Sequence, residues 1–273
     1  MDFHTKLLSA SRRNQSLLCV GLDSDIRKIP QSLVKEFGDE ALFEFNKRII
    51  DATADLVCAY KPNIAFYEML GPKGLELLKK TREYIPADIP VIIDAKRGDI
   101  SNTAEAYAKA LFEFYNADAV TVNPYLGQDS IKPFLQYREK GTFVLCRTSN
   151  PGARDLQDLD CSGQPLYQVI ARKAIEWNSN HNIGLVAGAT FPEELGVIRK
   201  IIGDEMPLVI PGIGPQQADL KKAVQNGVNS QGELAIINAA RSVIFASSKE
   251  DFAEAVRKKA VALRDEINRY RAM

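Results

Sequence analysis

The run Asp94-Ala95-Lys96-Arg97-Gly98-Asp99 places two carboxylates around an ammonium. Asp94 and Lys96 are two apart, so on a strand they face the same side. Asp99 lies past Gly98, where a turn can aim it elsewhere. An ammonium held between carboxylates keeps its proton, because nearby negative charge favours the charged form. It is then a poor Schiff-base nucleophile, but a good proton donor and a good partner for a developing carbanion. A salt bridge capping the strand is the structural alternative for one such pair. Other short apolar runs, however, also end in polar or charged residues: Asp23, Lys61-Pro62-Asn63, Thr148-Ser149-Asn150 and Ala240-Arg241. Charge at a buried strand end is costly unless it is paired or used. Its recurrence at several ends points to a site. The segment Pro211-Gly212-Ile213-Gly214-Pro215-Gln216 adds backbone N–H groups that can approach an anion closely. Arg241 adds a guanidinium suited to clamping phosphate. Together these residues describe an enzyme acting on a small phosphorylated substrate, with charge-stabilised carbanion chemistry at Lys96.

The elements that must position them alternate along the chain. Apolar runs occur at Leu17–Asp23, Val57–Asn63, Val91–Asp94, Ala119–Pro124, Phe143–Ser149, Ile183–Ala189, Leu208–Gly212 and Leu234–Arg241. Most are apolar throughout, as strands are when a parallel sheet is buried on both faces. Segments of helical period lie between them, including 39–56, 102–115 and 250–270. The second opens with Asn102 and has Glu105 three residues on, a capping-box pattern. About eight strand–helix pairs predict a single-domain α/β fold, a (β/α)8 TIM barrel spanning residues 1–273, with its active site at the C-terminal strand ends. An open doubly wound sheet is the alternative, but no G-x-G-x-x-G follows the first strand.

Composition narrows the function further. The chain has 273 residues, and its 35 basic and 35 acidic side chains cancel, which gives no reason to expect a nucleic-acid partner. Apolar residues at 45% exclude a disordered chain. No apolar run approaches the roughly 18 residues that cross a bilayer, so no membrane association is expected. The polar stretch from Met1 to Gln15 does not read as a secretory signal. Cys19, Cys58 and Cys146 sit in apolar runs and read as small buried hydrophobes of a reducing, cytoplasmic setting. With only His4 and His181, zinc chemistry and a Ser-His-Asp mechanism have little to build on, and no metal site is expected.

The run Ile93–Ile100 resembles the D-x-K-x-x-D-I signature of the orotidine 5′-phosphate decarboxylase family, in its branch with longer chains. The likeness extends through Gly21-Leu22-Asp23, Lys61-Pro62-Asn63, Thr148-Ser149-Asn150-Pro151-Gly152, Pro211 to Gln216, and Asn238-Ala239-Ala240-Arg241. The resemblance implies loss of CO2 from orotidine 5′-phosphate to give UMP, without metal or organic cofactor, in a homodimer. It implies that Lys96 protonates C6 of the pyrimidine and that Asp94 lies against the scissile carboxylate. Asp99, from the partner subunit, completes a network with Lys61. Asp23, Asn63 and the partner's Thr103 meet the ribose, and Ser149 the base. Gln216 and Arg241, with backbone of the seventh and eighth loops at Pro211, Gly212 and Ala240, hold the phosphate. Gln216-Gln217-Ala218 departs from the family's frequent Gln-Gly-Gly. Two rival readings remain: a Mg²⁺-dependent sugar-phosphate decarboxylase or synthase of the same superfamily, and a catalytically silent nucleotide-binding barrel. Against the first, Lys61 stands where those enzymes have an acidic metal ligand.

Overall fold

A computed structural model describes residues 1–213 and 219–271, and in it the alternating apolar runs become eight parallel strands. They are β1 (Leu18–Leu22), β2 (Ala59–Pro62), β3 (Ile92–Arg97), β4 (Ala119–Val122), β5 (Gly141–Arg147), β6 (Ile183–Ala187), β7 (Leu208–Ile210) and β8 (Ala235–Ala239). Their order is β2-β1-β8-β7-β6-β5-β4-β3. Isolated bridges at Tyr60–Val91 and Asn63–Asp94 join the two ends, so the sheet closes into the expected (β/α)8 barrel.

Nine longer helices pack around it among the described residues. They are α1 (Phe3–Arg13), α2 (Ala41–Thr53), α3 (Gly71–Tyr84), α4 (Ser101–Lys109), α5 (Gln128–Leu135), α6 (Leu166–Trp177), α7 (Pro192–Ile202), α8 (Leu220–Gly227) and α9 (Phe252–Arg271). From α2 onward, each follows one strand. No helix of the described residues is long and apolar enough to cross a membrane. The helix expected over 102–115 is divided, with α4 giving way to a wider π turn over Ala110–Phe114. Its capping box does not form. Ile100 occupies the cap position without a side-chain bond, and Asn102 already lies within the first turn.

Strand alternation sorts the barrel interior into two levels. Cys19, Ala59, Ile92, Ala119, Phe143, Val186, Val209 and Ile236 form an apolar lower level. Two positions further along their strands stand Gly21, Lys61, Asp94, Thr121 and Asn238. The buried thiol of Cys19 is pushed up to about 12 by loss of solvent, as suits a packing residue.

Helix α1, hidden in a segment that reads as merely polar, seals the lower level. Phe3 and Leu7 are buried there, and the Phe3 ring meets Phe143 edge-on at 5.5 Å between centroids. Gly141 makes the room, since a Cβ there would lie 2.6 Å from the Phe3 ring. Lys6 fixes the helix through Asp118 at 2.8 Å, and that carboxylate also accepts from Arg82 at 3.2 Å and from the Val91 N–H at 2.9 Å. Phe3→Ala is therefore expected to cost about 3 kcal/mol of stability by opening a cavity under the barrel. Urea denaturation would measure the loss. Turnover per folded molecule should not change, because the site is at the opposite end.

Candidate active site

The upper level holds a carboxylate between two ammoniums. Lys61 Nζ lies 2.7 Å from Asp94 Oδ2, and Lys96 Nζ lies 2.6 Å from Oδ1. The hydroxyl of Thr121 donates to the same Oδ1 at 2.8 Å. The Lys61 side chain is 4% exposed and that of Asp94 10%, whereas Lys96 is 47% exposed. Burial alone would raise the Asp94 carboxyl, but the charges of Lys61 and Lys96 hold it well below the usual carboxylate range. Burial alone would likewise lower Lys61, and Asp94 and Asp23 reverse that. Asp23 goes the other way. Burial raises it, Lys61 only partly offsets this, and its Oδ1 has no partner.

Asp94 and Lys96 meet, as the spacing predicts, but not by simple alternation. Lys96 has φ of 47°, in the left-handed region, and the β3–β4 register shifts between Ile93 and Arg97. The strand is bulged there, a device that re-aims side chains near active sites. Gly98 is not the turning residue. A Cβ on it would lie 2.9 Å from the Asn123 carbonyl oxygen, so the glycine permits close packing. Lys96 and Ser101, at φ 47° and 50°, do the turning. Between them Asp99 accepts from the Ile100 N–H at 2.8 Å. Among the described residues it forms no ion pair with Lys61 or Lys96. Thr103, on α4, is exposed.

A cavity of about 200 Å³ opens above this level, lined by Asp23, Lys61, Asp94, Ser149, Pro211, Gly212, Ala240 and Arg241. Eight of the residues singled out from sequence thus share one space. Asn63, Lys96, Asp99 and Thr103 do not line it. Asn63 accepts from the Ala65 N–H at 3.2 Å, just past β2. Gln216, expected at the phosphate, lies outside the described residues. Arg241 is exposed and opens a short helix, Arg241–Ile244. Gly21 lets β1 approach β8 closely, since a Cβ there would fall 2.6 Å from that of Ala240.

Four contributors have no role assigned from the sequence. Asn238 and Ser242 line the cavity, and the buried Asn238 has an unpartnered Oδ1. Its signal is a polar residue at an inward position of an apolar strand. Arg147, 1% exposed, stacks 3.9 Å from the centroid of Phe191 and pairs with Asp158 at 3.1 Å. It ties the loop after β5 to the segment after β6. Neighbouring Gln157 donates to Thr148 Oγ1 and accepts from the Thr148 N–H, both at 2.9 Å, which fixes the chain just before Ser149.

Comparison with known proteins gives a consistent result. Residues 16–256 match the model of the Orotidine 5′-phosphate decarboxylase / HUMPS family. The orotidine 5′-phosphate decarboxylase of Ralstonia pickettii is 50% identical over 274 residues, covering 99% of this chain and 100% of that protein. That of Cellvibrio japonicus is 52% identical over 276 residues, covering 100% of both. Among solved structures, OMP decarboxylase from Leishmania donovani superposes with a TM-score of 0.88 at 39% identity over 100% of both chains.

The paired charges make a stability prediction. Asp94→Asn leaves Lys61 buried without its carboxylate, at an expected cost of about 3–5 kcal/mol at neutral pH. In the wild type, Asp94 has a folded pKa below its unfolded value of about 3.9, so its contribution is complete above that pH and fades as pH falls through the folded value. The stability gap between the two proteins should stay flat from about pH 7 to 5 and narrow below about pH 4. Denaturant titrations across that range would check it.

Proposed function

The chain belongs to the orotidine 5′-phosphate decarboxylase family, and from that premise we propose how its side chains divide the work. It is a carboxy-lyase that converts orotidine 5′-phosphate to UMP and CO2 in pyrimidine biosynthesis. In our reading Lys96 delivers the proton to C6 of the pyrimidine, and Asp94 stands against the departing carboxylate. Lys61 holds Asp94 ionised. The observation that carries this reading is the single carboxylate bracketed by Lys61 and Lys96 beside a cavity that also reaches Arg241. As negative charge moves from the carboxylate onto C6, the attraction of Lys96 grows toward the transition state. Contacts at the remote phosphate hold the substrate carboxylate where Asp94 would otherwise repel it. Arg241 and Gln216, with backbone of Pro211, Gly212 and Ala240, form that phosphate end. Asp23 and Asn63 take ribose hydroxyls, and Ser149 the base.

The reaction in this reading needs no metal or organic cofactor. Both Asp94 oxygens already accept from ammoniums, and Lys61 would repel a cation at the second strand end. This favours the present assignment over a Mg²⁺-dependent sugar-phosphate enzyme. The cytoplasm is the proposed location, in keeping with three buried free thiols, Cys19, Cys58 and Cys146.

We further infer that two chains share each site as a homodimer. Asp99 stands apart from its own chain's lysines, and the elements after β3 and β4 expose large apolar side chains, with Ile100 52%, Tyr107 37% and Tyr125 82% exposed. A second copy burying that surface would bring the partner's Asp99 and Thr103 to the mouth.

Lys96→Ala is expected to abolish the absorbance change of orotidine 5′-phosphate turnover while UMP still binds by calorimetry. Near wild-type turnover would remove Lys96 from the chemistry. Sharing is tested by unfolding Lys96→Ala and Asp99→Asn together and refolding the mixture. A shared site leaves one intact site in each mixed dimer, so about a quarter of wild-type activity should return. A refolded mixture that dimerises yet stays inactive would assign Asp99 to its own barrel.

A further inference from the structure

We propose that Thr121 is a positioning residue of the decarboxylation, holding through one hydroxyl both the Asp94 carboxylate and the backbone turn that carries Lys96. The proposal rests on the role given above to Lys96. In a regular strand, successive N–H groups point to opposite sides. Here the N–H groups of Ala95 and Lys96, adjacent in sequence, both donate to Thr121 Oγ1, at 3.0 and 2.9 Å. The hydroxyl proton goes to Asp94 Oδ1 at 2.8 Å. One donor and two acceptor sites are all the hydroxyl has, and each is used.

The register explains why Thr121 alone can serve. Ile93 pairs with Val120 and Arg97 with Val122, so Asp94, Ala95 and Lys96 together face Thr121. The backbone of β4 has too few carbonyls in that interval to take the extra N–H groups. Thr121 is 2% exposed, which leaves no room for solvent to replace its hydroxyl.

The left-handed conformation of Lys96 is unfavourable for a side chain with a Cβ, and it persists only where the surroundings over-determine it. Thr121 supplies that determination. Without the hydroxyl, the buried N–H of Ala95 and the partly buried N–H of Lys96 lose their acceptor, and the bulge relaxes toward extended strand. The Lys96 ammonium then leaves the place that Asp94 Oδ1 now fixes. None of these hydrogen bonds involves Arg241 or Asp23, so ligand anchoring is spared and the chemical step is not.

Thr121→Val keeps the shape and removes the hydroxyl, whereas Thr121→Ser keeps the hydroxyl. Wild-type turnover of orotidine 5′-phosphate is measured first, and its absence would count against the functional reading and not against Thr121. With that activity in hand, kcat of Thr121→Val should fall about a hundredfold, with the Kd for UMP within about twofold of wild type and Thr121→Ser within about threefold in kcat. A merely structural loss would lower the folded fraction without splitting kcat from UMP affinity. Should Thr121→Val not fold, Thr121→Ala is measured in its place. Wild-type kcat in a hydroxyl-free variant overturns the proposal. So does a Thr121→Ser variant as impaired as Thr121→Val, since the methyl group would then be what matters.

Discussion

The rest of the site depends on one ionised carboxylate held in a place where a lone charge could not stay. Asp94 is buried at the barrel mouth with Lys61, which is buried more deeply still. Taking either charge out of water is unfavourable by several kcal/mol, and only close mutual contact with further hydrogen bonds offsets it. Three donors meet the two Asp94 oxygens, namely Lys61, Lys96 and Thr121. The arrangement is stable only as a set, so every element that brings these donors together is constrained by it.

The barrel supplies that constraint at its weakest seam. Seven neighbouring strand pairs share ladders, whereas β2 and β3 meet through isolated bridges, one of them at Asn63 and Asp94. The Lys61–Asp94 contact crosses this same seam. It therefore closes the barrel where backbone pairing is sparse, besides holding the charge that the proposed chemistry uses. The apolar level beneath, sealed by Phe3 and Leu7, supports these strand ends from below.

Much of this was legible in the sequence, because alternation and strand-end chemistry are local signals. The eight apolar runs, the three strand-end clusters at Asp23, Lys61 and Asp94, and the guanidinium of Arg241 all follow from residue type and spacing. What escaped depends on distant contacts. Helix α1 looks polar because its buried face mixes Phe3, Leu7 and Ala10 with Lys6 and Ser11, and the partners of Phe3 and Leu7 lie far along the chain at Phe143 and Ile236. Threonine is common in strands, so Thr121 carries no mark of its three hydrogen bonds. The sequence points to a turn at Gly98, since glycine is the usual residue for one, whereas the left-handed backbone of Lys96 has no sequence signal. The real determinant is a hydroxyl on the adjacent strand.

The two ends of the cavity differ in a way that suits the reaction. At one end Asp94 and Lys61 are buried, closely paired and fixed by strands. At the other, Arg241 is exposed at the start of a short helix and shares the cavity lining with Pro211 and Gly212. In the proposed reaction, a substrate phosphate would be captured at the accessible end without disturbing the paired charges. The rigid end would not yield to a substrate carboxylate pressed against Asp94, so the strain would fall on the bond that breaks. Loss of CO2 would remove that repulsion and leave charge on carbon near Lys96. On this proposal rigidity at Asp94 matters as much as the charge itself, since a carboxylate on a mobile loop would turn aside.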